Sequence, residues 1–354
     1  GGDTPRRPNV DLIRRGRANI EMIPIDVTTA DEAWRQAARR LQGRTKVQAG
    51  RDQPTRELLH VVFSISDPRQ RIVFARPFNP ALAIAEVIWI LSGANASEFL
   101  ISWNPRYERF VDVVTDKRVL HGAYGHRLGS RSRLPDDIDR MVRITINDGP
   151  SPVDQLQAAY QALRHTPDSR QVVLQIWDSK RDLPDPMPRS AHVPCNLLSH
   201  LMIREDRLEW LQVMRSNDLI WGTPINFIQF TCLQEIMAGW LGVDIGSYVH
   251  VSDSLHVYER HWEELDELTL DHVPDLPTNR SDLRVLGYEE WEKVWVHVVT
   301  AAVQLAQGVS PDEASSIVDQ VSDLPIGYSE WIAVLAAESL RRRGYVEEAD
   351  GLIV

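Results

Sequence analysis

An α+β fold built on a mainly antiparallel sheet is what the sequence predicts, and three features carry that expectation. Residues 197–203 and 208–213 are apolar runs of strand length separated only by the polar turn Arg204–Arg207, which pairs them as neighbours. Residues 81–91 and 227–241, one stretch before that pair and one after it, place apolar side chains at helical spacing. Beyond His261 the texture changes to Glu, Asp, Leu and Trp in helical patterns, broken at Pro274, Pro277, Pro311 and Pro325. With 43% of the 354 residues hydrophobic, the chain can bury a substantial core.

The first 20 residues carry Arg6, Arg7, Arg14, Arg15 and Arg17 without an apolar signal core, and read as a flexible arm. Residues 30–42 have helical spacing behind Thr28-Thr29, a suitable N-cap. Residues 58–65 are rich in β-branched and apolar types and stop at Asp67-Pro68, which predicts a strand closed by a turn. Asn79-Pro80 then starts a helix with Leu82, Ala85, Ile88 and Trp89 on one face. Residues 153–163 read as a further helix and 172–177 as a strand. The helix over 227–241 ends at Gly242 as a C-cap. The expected organisation is an arm over 1–20, a catalytic core over 21–262 and a helical region over 263–354 packed on that core. No internal repeat, sustained heptad or low-complexity tract is present.

A net charge of −11 argues against a nonspecific grip on nucleic acid, so any phosphate should meet a few local arginines. The two cysteines, Cys195 and Cys232, are too few for a disulfide framework, and no apolar run reaches the roughly 18 residues that cross a bilayer. A reducing, cytoplasmic setting without a membrane partner is expected.

Cys195 follows a proline and precedes an apolar strand. A cation nearby can lower its pKa from ~8.5 and make it a thiolate nucleophile; otherwise it is a small buried apolar residue, the reading that suits Cys232. Arg215 and Ser216 follow a strand, and a guanidinium beside a hydroxyl suits a phosphate, though a solvated strand end has the same composition. Glu86 interrupts an apolar helix. Buried, it gains a raised pKa and can shuttle protons; at the helix edge it is a surface carboxylate. His250, His256 and His261 fit no zinc spacing, and no metal is expected.

Several stretches occur in a telling order. They are Ala85-Glu86-Val87-Ile88-Trp89-Ile90-Leu91-Ser92-Gly93, Gly122-Ala123-Tyr124-Gly125, Asp168-Ser169-Arg170, Pro194-Cys195 and Arg215-Ser216-Asn217-Asp218. Gly222-Thr223-Pro224-Ile225-Asn226 and His256-Val257-Tyr258 with His261 complete the series. Over roughly residues 51–261 this series resembles the folate-dependent thymidylate synthase superfamily, which includes the pyrimidine nucleotide hydroxymethylases.

The resemblance implies a thymidylate synthase-like fold and one-carbon transfer from 5,10-methylenetetrahydrofolate to C5 of a pyrimidine nucleoside monophosphate. It implies Cys195 as the nucleophile at C6, with Glu86 and Tyr124 moving protons. Arg51, Arg215 and Ser216, with Arg170 donated across a homodimer, would hold the phosphate. Asn226 would read the base, and His256 and Tyr258 would contact the sugar. Asp218, Trp89 and Gly222 would meet the folate.

The sequence departs from the synthase pattern at Asn196 (usually His), Met214 (usually Gln), Gln171 (usually Arg) and Ser254 (usually Asp, with Asp253 adjacent). A long helical region replaces the short tail that closes over folate. Altered exclusion of water favours water over hydride at the last step, so a hydroxymethylase acting on CMP, dCMP, UMP or dUMP is the expectation. Thymidylate synthesis and a noncatalytic nucleotide-binding homologue are the alternatives.

Overall fold

A computed structural model describes residues 22–45, 47–49, 53–130, 132–145, 153–183, 190, 192–270 and 281–353. The expected N-terminal arm and Arg51 lie outside them. The strands are β1 (Ile23–Val27), β2 (Val47–Ala49), β3 (Pro54–Ile65), β4 (Asp112–Val114), β5 (Lys117–Val119), β6 (Val172–Gln175), β7 (Asn196–Arg204), β8 (Arg207–Met214), β9 (Asn217–Asp218) and β10 (Asp244–Tyr258). The main sheet runs β1-β3-β10-β8-β7-β6, with β2 on β3 and β9 on β10; β4 and β5 form a separate hairpin.

Pairing is mixed. β3/β10, β2/β3, β7/β8 and β6/β7 are antiparallel, whereas β1/β3, β8/β10 and β9/β10 are parallel. The hairpin expected between 203 and 208 closes at Arg204↔Arg207, with Glu205 and Asp206 at φ 51° and 57°. Positive φ at both central residues matches the right-handed strand twist. Parallel pairing of β1 with β3 needs a crossover, supplied by the helix Ala30–Leu41. Thr29 starts that helix as one half of a capping box: its Oγ1 accepts from Glu32 N (3.2 Å), and Glu32 Oε2 accepts from Thr29 N (3.1 Å).

The helix Pro80–Leu91 begins where expected, with Asn79 Oδ1 accepting from Leu82 N (3.1 Å) and proline in its first turn. The single apolar face expected for it is too modest: Ala81 through Leu91 are all buried. The reason is its position between the long helix Gly222–Leu241 and the C-terminal helix Ile326–Arg341. The long helix also packs on β8 and β10 and ends, as expected, at Gly242 in the left-handed conformation. It starts earlier than the sequence suggests, because Gly222-Thr223-Pro224 reads as a break although proline is tolerated in a first turn.

The C-terminal region is helical over Trp262–Glu267, Tyr288–Gln307, Pro311–Gln320, Ile326–Arg341 and Val346–Gly351. Its Trp295, Tyr328 and Leu335 belong to the same apolar cluster as Phe63 and Phe227 of the sheet and long helix. Polar contacts reinforce the join. Glu338 Oε1 accepts from Asn79 Nδ2 (2.9 Å) and from Arg342 Nε (2.8 Å), and the Arg342 guanidinium donates to the Ser102 and Trp103 carbonyls. Among the described residues no helix is long and apolar enough to cross a membrane, and no group of three or more His, Cys, Asp or Glu side chains is placed to hold a metal ion.

Candidate active site

Cys195 sits half-buried where the chain enters β7, opposite the end of β8. Its carbonyl accepts from Arg215 N (2.9 Å), while the Arg215 side chain donates from Nε to Pro194 O (3.0 Å) and from Nη2 to Val193 O (3.1 Å). One arginine thus braces the loop that carries the thiol, with donors remaining for an anion. Tyr124 lies within electrostatic reach of Cys195, Glu86 and Arg215. Burial above all, then the proximity of Cys195 and Glu86, pushes its phenol well above the usual range, so it stays protonated. Gly125 permits this placement: a Cβ there would lie 2.1 Å from Ile90 O of the Glu86 helix.

Glu86 is 5% exposed, so it is the buried carboxylate and not the helix-edge one. The Tyr107 hydroxyl donates to its Oε1 and Gln229 Nε2 to its Oε2. Burial pushes the Glu86 pKa up to about 7, against the pull of these two hydrogen bonds. A carboxyl there is poised to give or take a proton near neutrality. The sequence reading missed Tyr107, from the 3-10 helix Pro105–Phe110, and Gln229, three residues beyond Asn226. An i, i+3 pattern from Asn226 along the long helix was the available signal for Gln229.

A polar chain fixes Asn226. Its Nδ2 donates to Asn217 Oδ1 (3.0 Å), and Asn217 Nδ2 donates to His250 Nε2 (2.9 Å) and Ser252 Oγ (3.1 Å). Burial pushes the His250 pKa down to about 3, so the ring is neutral; with Nε2 accepting, its proton sits on Nδ1, facing the Tyr248 hydroxyl at 2.8 Å. The Asn226 amide is therefore held one way round, its Oδ1 and second Nδ2 hydrogen left for a partner. Gly222 makes room for this chain, since a Cβ would come 2.9 Å from Asn217 Oδ1.

Parallel pairing of β9 with β10 sets Asp218 beside His256. Asp218 Oδ1 accepts from Ile220 N (2.8 Å), and the His256 ring packs edge-on to Tyr258 at 5.0 Å. His261 is shared between Trp221 Nε1 and Glu264. Ser216 follows Arg215 in the short link to β9 and is half-buried.

Two expected residues stand apart. Trp89 is buried, its indole donating to Ala96 O (3.3 Å). Arg170 is exposed just before β6; because Val172 pairs with Leu201, it falls level with Ile203 at the far end of β7. The run from Cys195 to Ile203 is roughly 25 Å at ~3.3 Å per residue, beyond an arginine's reach. Asn196 is fully buried, its Oδ1 accepting from Gln212 Nε2, and Asp253 pairs with His60 at 2.6 Å.

The family model for thymidylate synthase matches residues 36–294. The chain is 35% identical over 215 residues to the deoxyuridylate hydroxymethyltransferase of Bacillus phage SP01, covering 60% of this chain and 52% of that protein. It is 33% identical over 196 residues to the protein of that name from Pseudomonas phage M6 (54% of this chain, 49% of that protein). For the one from Delftia phage PhiW-14 the figures are 30% over 215 residues, 60% and 55%. The chain thus spans about half the length of these curated relatives.

Proposed function

We infer the reaction from one premise: the chain belongs to the thymidylate synthase family. We propose that it transfers a one-carbon unit from 5,10-methylenetetrahydrofolate, as second substrate, to C5 of dUMP and releases 5-hydroxymethyl-dUMP. The relatives named deoxyuridylate hydroxymethyltransferase support uracil, deoxyribose and the hydroxymethyl branch. The observation that carries the chemistry is Glu86, buried with neutral donors and a pKa of about 7, within electrostatic reach of the tyrosine beside Cys195.

In this reading the Cys195 thiolate adds to C6 and makes C5 nucleophilic. Tyr124 and Glu86 handle the proton that leaves C5. Asn226 offers an acceptor and a donor to the base edge, and His256 and Tyr258 meet the sugar. Arg215, Ser216 and Arg51 hold the phosphate, joined by Arg170 from a second copy, since the length of β7 keeps Arg170 from its own site. Asp218 and Gly222 border the folate, while Trp89, in the same helix as Glu86, is buried. A homodimer in a reducing, cytoplasmic setting is part of the same reading.

The test is a product assay with dUMP and methylenetetrahydrofolate, read by mass spectrometry. Hydroxymethyl-dUMP with tetrahydrofolate is expected, and none from Cys195→Ala; TMP with dihydrofolate would instead support the synthase branch.

A further inference from the structure

The last step of that reaction needs one water aimed at one carbon, and the surroundings of Glu86 carry the means to aim it. Gln229 is 4% exposed and uses only half of its amide: Nε2 donates to Glu86 Oε2, while the buried Oε1 has no hydrogen-bond partner among the described protein atoms. A buried amide oxygen left unpaired is costly, and a polar site with two acceptors side by side suits a water. Each carboxylate oxygen of Glu86 has a further lone pair beyond the bonds from Tyr107 and Gln229. A water can therefore give one hydrogen to Glu86 Oε2 and the other to Gln229 Oε1, leaving its oxygen lone pairs free to attack. Because Gln229 bonds Oε2, a water held by Gln229 Oε1 lies on that side of the carboxylate, whose orientation Tyr107 fixes through Oε1.

We propose that Gln229, assisted by Tyr107, is a positioning residue that seats the attacking water against Glu86 and so commits the reaction to the hydroxymethyl product. The inference rests on the reading of the previous section. Once tetrahydrofolate has left, the carbon on C5 is an exocyclic methylene conjugated with the C4 carbonyl. The water oxygen bonds to that methylene, its proton passes to Glu86, and the methylene π pair moves into the ring as the C4 enolate. The enolate pair then restores C5=C6, and the C6–S bond breaks to return the Cys195 thiolate. No oxidant or reductant is consumed. Neither Tyr107 nor Gln229 carries charge, so Glu86 remains a base rather than the anion of a fixed ion pair.

The experiment uses the full chain with [5-³H]dUMP and methylenetetrahydrofolate, with 2-mercaptoethanol as a nucleophile that competes with water for the methylene. Tritium release reports steps before water attack, and the ratio of hydroxymethyl to thioether product reports the water. Gln229→Met, close in shape but without an amide, is expected to lower that ratio about tenfold or more, a product shift that a mere loss of proton-transfer rate, read separately as slower tritium release, would not produce. Tyr107→Phe should shift it the same way by a smaller factor. A ratio unchanged in both variants overturns the proposal, and if one variant fails to fold the other decides. Absence of tritium release from the wild-type chain would instead sink the underlying reading.

Discussion

Two buried glutamates contact the same long helix and have opposite characters. Glu235, within that helix, is fully buried and faces cations: Arg71 donates to its Oε2, Arg69 Nε lies 3.3 Å from Oε1, and Leu283 N donates to Oε1 (3.2 Å). Glu86 is almost as buried but meets only a phenol and an amide. A carboxylate locked to guanidinium groups is a structural tie, whereas one offered neutral donors remains able to titrate. The cysteines divide differently, by burial. Arg71 Nη1 donates to Cys232 Sγ (2.7 Å), and burial outweighs that contact to push the Cys232 thiol up; Cys195 is half-exposed at the mouth of β7. The charge of the neighbours separates the two glutamates, whereas burial separates the two cysteines.

Removing each carboxylate puts this contrast under strain. Glu86→Gln is expected to cut product formation by roughly 10²–10⁴-fold with the fold retained, checked by initial rates beside circular dichroism. Retention of more than about a tenth of the activity would break the comparison. Glu235→Gln leaves Arg71 buried without its counter-charge and should cost roughly 3–5 kcal/mol in urea unfolding. A loss below about 1 kcal/mol would show that Glu235 is no tie at all.

The finest distinction is in pH dependence. Glu86 is raised from an ordinary 4.5 to about 7 in the folded chain, so its protonation favours the folded state. That contribution is complete below pH 4.5 and is lost as the pH rises through 7, about 3 kcal/mol in all. Glu86→Gln should therefore resist urea better than the wild type at pH 8, with the gap closing towards pH 4.5. Equal resistance at pH 8 would mean that Glu86 is not the strained member of the pair.

The residues that announce themselves in the sequence do so by local contrast. A cysteine after proline, a lone glutamate in an apolar helix and the threonine pair before residue 30 each stand out from their neighbours; the helix does start at Thr29, and of the two readings of Glu86 the structure has the buried one. β10 does not stand out, although it is the longest strand. Its inward side chains include His250 and Ser252, spent on the chain behind Asn226, so the apolar alternation of a half-buried strand is missing. Tyr107 is illegible for a different reason: it gains meaning only through Glu86, and even Gln229, which its spacing from Asn226 could flag, does not reveal its partner 143 positions away along the chain. Periodicity reports burial; it is silent about partners brought together by tertiary packing.

An asparagine amide can be rotated half a turn with hardly any change of shape, exchanging its acceptor for its donor. At Asn79 that choice has a definite answer. Ionised, Glu338 only accepts, so it selects the Nδ2 end and leaves Oδ1 pointing at Leu82 N; turned over, carboxylate would meet carbonyl and the cap would meet an NH₂ group. The distant C-terminal helix thereby supplies a polarity to the first turn of the helix that carries Glu86, one binary instruction sent across 259 positions of chain.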